Sequence, residues 1–258
     1  MWKKFSFIMI VLLIASCATT PLGRKQLAFM PLEQMDEMGV QAFQTIKDET
    51  PSASNRQVNG YVQCITNALL NTLQDSDGWE IVVFQDEAVN AFALPGRKMG
   101  VYTGLLNVAE NQHQLAAVIG HEIAHVLSNH GNERVSQQAL LQTGMELAQA
   151  IFSNPQSQTA QVALGALGLG AQFGVLLPFS RKHESEADEL GLQIMARAGF
   201  DPQESVNLWV NMGKNSEGAP PEFMSTHPAH ETRINDLQSQ MSHAMQLYQQ
   251  AETRPNCR

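Results

Sequence analysis

His121-Glu122-Ile123-Ala124-His125 is the stretch on which the reading of this chain turns. If residues 114–129 form a helix, positions i and i+4 stack on one face and both imidazoles reach the same metal ion. Glu122 then sits about 100° round the helix from His121, beside the ion rather than on it. That is where a base must stand to take a proton from an activated water. Two neutral imidazoles suit zinc, copper, nickel or iron, and a carboxylate as third ligand favours zinc. The same residues also read as an amphipathic core helix with two satisfied histidines, because Leu115, Val118, Ile119, Ile123, Val126 and Leu127 give it a broad apolar surface. A third ligand separates the two readings.

Moving outward, His130 is the nearest further imidazole. It lies five residues beyond His125, about 140° away on the wheel, and so is expected to point elsewhere. An extension to H-E-x-x-H-x-x-G-x-x-H fails, since Ser128 and Gly131 stand where Gly and His are required. The better candidate is Glu184-Ser185-Glu186-Ala187-Asp188, in a helical stretch over residues 181–192. Glu184 and Asp188 share a helix face at i, i+4. A ligating Glu one turn from an Asp makes chemical sense, because ligating imidazoles usually give their other N–H to a carboxylate. By itself the stretch reads equally as a solvated acidic turn.

Taken together, H-E-x-x-H followed on a later helix by E-x-x-A-D resembles the gluzincin arrangement. More narrowly, the chain is similar to the CAAX-prenyl-protease/HtpX family of zinc metallopeptidases over about residues 58–237. The resemblance is carried by Asn90-Ala91-Phe92-Ala93-Leu94-Pro95-Gly96, Tyr102-Thr103-Gly104-Leu105, Val118-Ile119-Gly120-His121-Glu122, residues 181–188 and Ser225-Thr226-His227-Pro228. It implies an α+β, mostly helical, zincin-like domain with a small β-sheet or hairpin beside the motif helix. It further implies one Zn2+ per chain on His121, His125 and Glu184, Glu122 as general base, and Asp188 as the partner of His121. His227 matches a family histidine that approaches the metal. Arg233, in the helix start that follows, is grouped with Asn90, Ala91 and Phe92 as a substrate contact. Arg97 departs from a loop that in the family often reads Pro-Gly-Gly.

Three readings of His227 are open. It is a residue leading into a helix before Pro228, a donor to a developing oxyanion, or a latch that fills the open metal position.

The start of the chain carries a targeting signal. Lys3 and Lys4 precede a short apolar run over residues 5–15. Ile14-Ala15-Ser16-Cys17 resembles a bacterial lipobox, in which Cys17 is acylated, and the alternative is an ordinary secretory signal. Residues 1–16 are therefore expected to be a lipoprotein signal peptide, 17–50 a lipidated tether and N-terminal helix, and 51–258 the metallopeptidase domain. A lipobox without a multi-span core resembles the family's periplasmic lipoprotein branch (BepA/LoiP-like). That branch implies an envelope location on the periplasmic side, and Ala18 rather than Asp after Cys17 resembles the pattern for outer-membrane sorting.

Of three cysteines, Cys64 and Cys257 are left as an even pair. In an oxidising compartment they are expected to form a disulfide, the alternative being two unrelated thiols. A formal charge of −9 with no long basic run argues against a nucleic-acid groove.

Elsewhere the pattern gives helices over 32–47, 58–73 and 135–150, with β-rich segments at 79–84, 91–94 and 99–103. Residues 18–31 read as tether, and the motif helix is expected to end with Gly131 as its cap. Residues 162–179 are apolar, about 27 Å as a helix, but their glycines and Pro178 favour a buried helix over a membrane span. Residues 215–221 read as a loop over the cleft.

The function expected is zinc endopeptidase, acting on unfolded or misassembled envelope proteins laid along the strand edge at Asn90–Phe92. The alternatives are a non-proteolytic chaperone or assembly factor with a structural zinc, and a hydrolase of cell-wall peptides.

Overall fold

The computed structural model describes residues 17–151, 179–214, 222–227 and 231–258. The signal segment 1–16, the 215–221 loop and the apolar stretch 162–178 lie outside the described residues.

The chain opens with a short antiparallel pair, β1 (Cys17–Thr19) and β2 (Lys25–Leu27). Helix α1 (Leu32–Glu49) follows, burying Met35, Gly39 and Phe43 along one face. Gly39 marks a close approach: a Cβ there would lie 2.1 Å from the carbonyl oxygen of Pro95. Helix α2 (Arg56–Leu70) is started by Asn55, whose side-chain oxygen accepts from the Gln57 and Val58 amides.

Next come β3 (Glu80–Phe84), β4 (Ala91–Leu94) and β5 (Lys98–Tyr102), in spatial order β3-β5-β4. β4 and β5 form the antiparallel hairpin expected around residues 95–98, whereas β3 joins β5 in parallel. β4 is thus an edge strand, and it lies along the motif helix.

That helix, α3 (Gln112–Leu127), is capped by Asn111, which accepts from the His113 and Gln114 amides. It ends at Leu127, earlier than Gly131. The chain reverses at Asn129, whose φ of 52° is a left-handed conformation that Asn tolerates, and α4 (His130–Ile151) starts at the next residue. Gly131 therefore lies inside α4 and caps nothing.

Helix α5 (Arg181–Arg197) packs across α3 at two glycines. A Cβ on Gly191 would meet the His121 amide nitrogen at 2.8 Å, so the two backbones approach as only glycine allows. Helices α6 (Glu204–Lys214), α7 (Glu222–Thr226) and α8 (Glu231–Gln250) complete the fold. α3 and α5 run through a core that includes Ile65, Leu69, Leu115, Ile119 and Met195. Cys64 and Cys257 are bonded, with Cα atoms 5.7 Å apart.

Residues 18–31 are not a free tether. The β1–β2 turn docks on α4 and α5: Arg24 bonds Glu133 at 2.7 Å and Glu186 at 2.6 Å. Further on, the Phe29 and Met30 amides donate to Ser136 and Asn132. Composition suggested a linker because these contacts are all tertiary.

Candidate metal centre

The i, i+4 spacing on α3 places His121 and His125 side by side, with their Nε2 atoms 3.0 Å apart. The α3–α5 glycine contact brings Glu184 opposite them. Its carboxylate oxygens lie 3.5 Å from His121 Nε2 and 3.4 Å from His125 Nε2. His227, just after α7, supplies Nδ1 at 3.2 Å from His121 Nε2 and 3.1 Å from Glu184 Oε1. One donor atom from each of the four residues falls within a 4.8 Å cluster, and all four residues are buried. Zinc bonds of about 2.0–2.1 Å in a tetrahedron require donor separations of roughly 3.3 Å, so the spacing fits such an ion.

Charge gives the same answer. Glu122, Glu184 and Asp188 are buried together. Arg233 offsets one carboxylate, and a divalent cation would offset the other two. Burial disfavours the charged form of Glu184, but hydrogen bonds from His121, His125 and His227 hold its carboxyl far below the usual range. Burial also lowers His121, yet Asp188 and Glu184 outweigh it and lift the imidazole to about 9, whereas burial drives His125 well below its ordinary value. Glu184 therefore sets negative charge against both rings, and His125 is held neutral, the form in which an imidazole binds a metal.

Glu122 stands beside the cluster, as the wheel predicts. Its Oε2 accepts the Ala93 amide of β4 at 3.0 Å, and its Oε1 lies 3.4 Å from His227 Nε2. Burial pushes its pKa up, which makes it a better base near neutrality. Asp188 accepts from His121 Nδ1 at 2.9 Å, fixing that ring's tautomer with Nε2 toward the cluster.

Two expectations about substrate contacts need correction. Arg233 is 1% exposed and faces inward: its Nε meets Asp188 Oδ2 at 2.6 Å and its Nη1 meets Glu184 Oε2 at 2.8 Å. With its guanidinium 3.9 Å over the Trp209 ring, it braces the carboxylates from behind and has no surface left for substrate. Phe92 is excluded by strand parity. The Tyr102 amide bonds the Asn90 carbonyl, so Asn90 and Phe92 direct their backbone groups toward β5, and those of Ala91 and Ala93 face the free edge. The Phe92 ring packs with Phe43, Phe84 and Tyr102 on the sheet. Of the three named positions, Ala91 alone directs its main-chain groups to that edge, and at 1% exposed it is covered in this structure.

His130 was missed. As expected it gives no donor to the cluster, but it does not point away: its Nδ1 lies 2.9 Å from His125 Nδ1. The wheel count failed because His130 belongs to the next helix, swung back by Asn129. Burial keeps its pKa low, at about 4, so the ring is neutral. The signal available in the sequence was Glu186, the unused middle carboxylate of E-x-E-x-D, which His130 Nε2 meets at 3.1 Å.

Arg97, the departure in the hairpin loop, adopts φ 58° and pairs with Asp75. Cys17 forms part of β1. No helix among the described residues is long and apolar enough to cross a membrane.

Comparison with known proteins agrees with the site. The sequence model of Peptidase family M48 matches residues 56–241. The chain is 35% identical over 175 residues to the mitochondrial metalloendopeptidase OMA1 of Schizosaccharomyces pombe, covering 64% of this chain and 48% of that protein. It is 27% identical over 268 residues to the mitochondrial metalloendopeptidase OMA1 of Homo sapiens, covering 98% and 51%. To the β-barrel assembly-enhancing protease of Escherichia coli (strain K12) it is 28% identical over 202 residues, covering 71% and 41%. It thus spans about half or less of the length of these relatives. Since the matched region contains His121, Glu122, His125, Glu184, Asp188, His227 and Arg233, the chain belongs to Peptidase family M48.

Proposed function

We propose that this chain is a zinc endopeptidase of the bacterial cell envelope that cuts internal peptide bonds of unfolded or misassembled proteins. The observation that carries the reading is the junction of the donor cluster, the buried Glu122 and the free edge of β4 at one place. Zinc held by His121, His125 and Glu184 would supply Lewis acidity, polarising a peptide carbonyl and acidifying water. Glu122 takes the proton of the attacking water and returns it to the amine as the C–N bond breaks. An extended substrate pairs with the outward main-chain groups of β4, which read backbone rather than side chains, and Ala91, buried at rest, is uncovered as it enters. A cavity of about 150 Å³ beside His125, lined among others by Leu32, Met35, Leu94, Pro95, Val126 and Arg134, accepts an apolar side chain next to the cut bond.

His227 is the fourth donor of the cluster, so we assign it the latch role: it closes the centre at rest and leaves when substrate enters. The lipobox reading adds an anchor at Cys17 on the periplasmic side, with the outer membrane as its destination, as in the family's lipoprotein branch. The membrane and envelope clients are then its partners, and nucleic acid is not.

The four-donor cluster also favours a second reading, a non-proteolytic chaperone or assembly factor with zinc as a structural pin, because structural sites are closed by protein ligands. Incubating zinc-loaded protein with an unfolded model substrate separates the two. Cleavage by the parent that falls by at least about a hundredfold in Glu122→Gln, with zinc still bound, is expected for the peptidase. An unchanged rate in Glu122→Gln would sink it, and silence from the parent and from His227→Ala would favour the chaperone.

A further inference from the structure

Both nitrogens of His125 are engaged. If Nε2 faces the metal, Nδ1 must carry the proton, and the 2.9 Å contact with His130 Nδ1 is then a hydrogen bond from His125 to His130. His130 accepts at Nδ1 and must hold its own proton on Nε2, from which it donates to Glu186 Oε2 at 3.1 Å. Only one tautomer of each ring satisfies the whole chain. His130 is fully buried and stacked on His183, ring centroids 4.5 Å apart, so it has no room to turn.

Glu186 in turn is held from the start of the chain. Thr20 Oγ1 donates to its Oε1, and Arg24 Nε donates to its Oε2 at 2.6 Å. The rest of the Arg24 guanidinium grips Glu133 through two bonds, at 3.1 and 2.7 Å, while His183 Nε2 meets the same carboxylate at 3.0 Å. A continuous path of hydrogen bonds therefore runs from the β1–β2 turn, a few residues after Cys17, to a metal-facing imidazole.

We propose that His130 is the positioning residue for His125, and that docking of the β1–β2 turn through Thr20 and Arg24 onto Glu186 sets how tightly the centre holds its metal. This rests on the reading of His121, His125 and Glu184 as ligands. The start of the chain is then a tuning element, and a force or partner that lifts it from α4 and α5 loosens the metal.

The test uses the full chain, stripped of metal, titrated with Zn2+ against a chromophoric chelator and separately with Co2+ to read the ligand-field spectrum. Outer partners of ligating imidazoles are worth about 10–100-fold in metal affinity, and His130→Ala is expected to lose that much. Glu186→Gln keeps an acceptor oxygen and should lose less than Glu186→Ala. Arg24→Ala, at the surface end, should weaken binding several-fold and shift the Co2+ bands in the same sense as His130→Ala. Combining Arg24→Ala with His130→Ala should cost little beyond His130→Ala alone, because the two act through one path. Should His130→Ala fail to fold, Arg24→Ala and Glu186→Gln carry the test. Zn2+ affinities within about twofold of the parent, with unchanged Co2+ spectra, overturn the proposal. So does an affinity loss matched by lower metal-free melting temperature with an unchanged spectrum, which is a purely structural effect. A parent that binds no Zn2+ overturns the ligand reading itself, and the proposal with it.

Discussion

The two imidazoles of the H-E-x-x-H helix are supported in different ways. Behind His121 stands a carboxylate in direct contact, Asp188, itself clamped by the buried Arg233 of α8. Behind His125 stands a neutral ring, then Glu186, then the partly exposed Arg24. Both carboxylates come from the same turn of α5, and each ends on an arginine. The first support is short, dry and built within the family's matched region. The second is one link longer and closes on a segment outside that region. A direct carboxylate gives a ligand basicity, whereas a relay through a neutral ring gives it orientation and a handle at the surface.

The comparison is broken most severely by removing the buried arginine. Arg233→Ala strands Asp188 and Glu184 without their cation, and urea unfolding of metal-free protein should show a loss of about 3–5 kcal/mol, as for other broken buried pairs. A smaller loss would mean that water reaches the carboxylates and that this side is not dry. Next, Asp188→Asn keeps the shape but offers His121 Nδ1 a weaker acceptor. Zinc affinity should fall by about 10–100-fold, at least matching the loss in His130→Ala if the direct support is the stronger. The smallest effect concerns Glu133, which burial would raise but which His183 and Arg24 hold down at about 2. A carboxyl depressed in the folded state stabilises it above the ordinary carboxylate range, and that contribution fades as pH falls from about 4.3 toward 2. Comparing the parent with Glu133→Gln should give a stability difference on the order of 1 kcal/mol at pH 7, after allowing for solvent screening, vanishing near pH 2. A difference that persisted at pH 2 would show that Glu133 acts by packing rather than charge.

Much of the centre was legible in the sequence because its spacing is local. Helical periodicity pairs His121 with His125 and Glu184 with Asp188, while it was the family resemblance that joined the two helices into one site and brought in His227. The strands at 80–84, 91–94 and 98–102 were equally plain from composition and a Pro-Gly turn. What stayed hidden depends on register or on distance along the chain. Phe92 was misassigned because a one-residue change of parity decides which strand groups face outward. Arg233 has the same charge whether it greets substrate or braces a carboxylate, and only burial tells. The His130 direction turned on a single left-handed residue. Arg24 lies 162 positions from Glu186, in a stretch whose composition resembles linker.

The Cys64–Cys257 bond joins residues 193 positions apart, and every residue of the donor cluster falls between them. One cut anywhere between positions 65 and 256 opens the chain yet leaves both pieces tied. Such a nicked molecule would migrate as a single species until reductant was added and as two fragments afterwards. The crosslink thus keeps a chain cut inside the loop in one covalent piece until it is reduced.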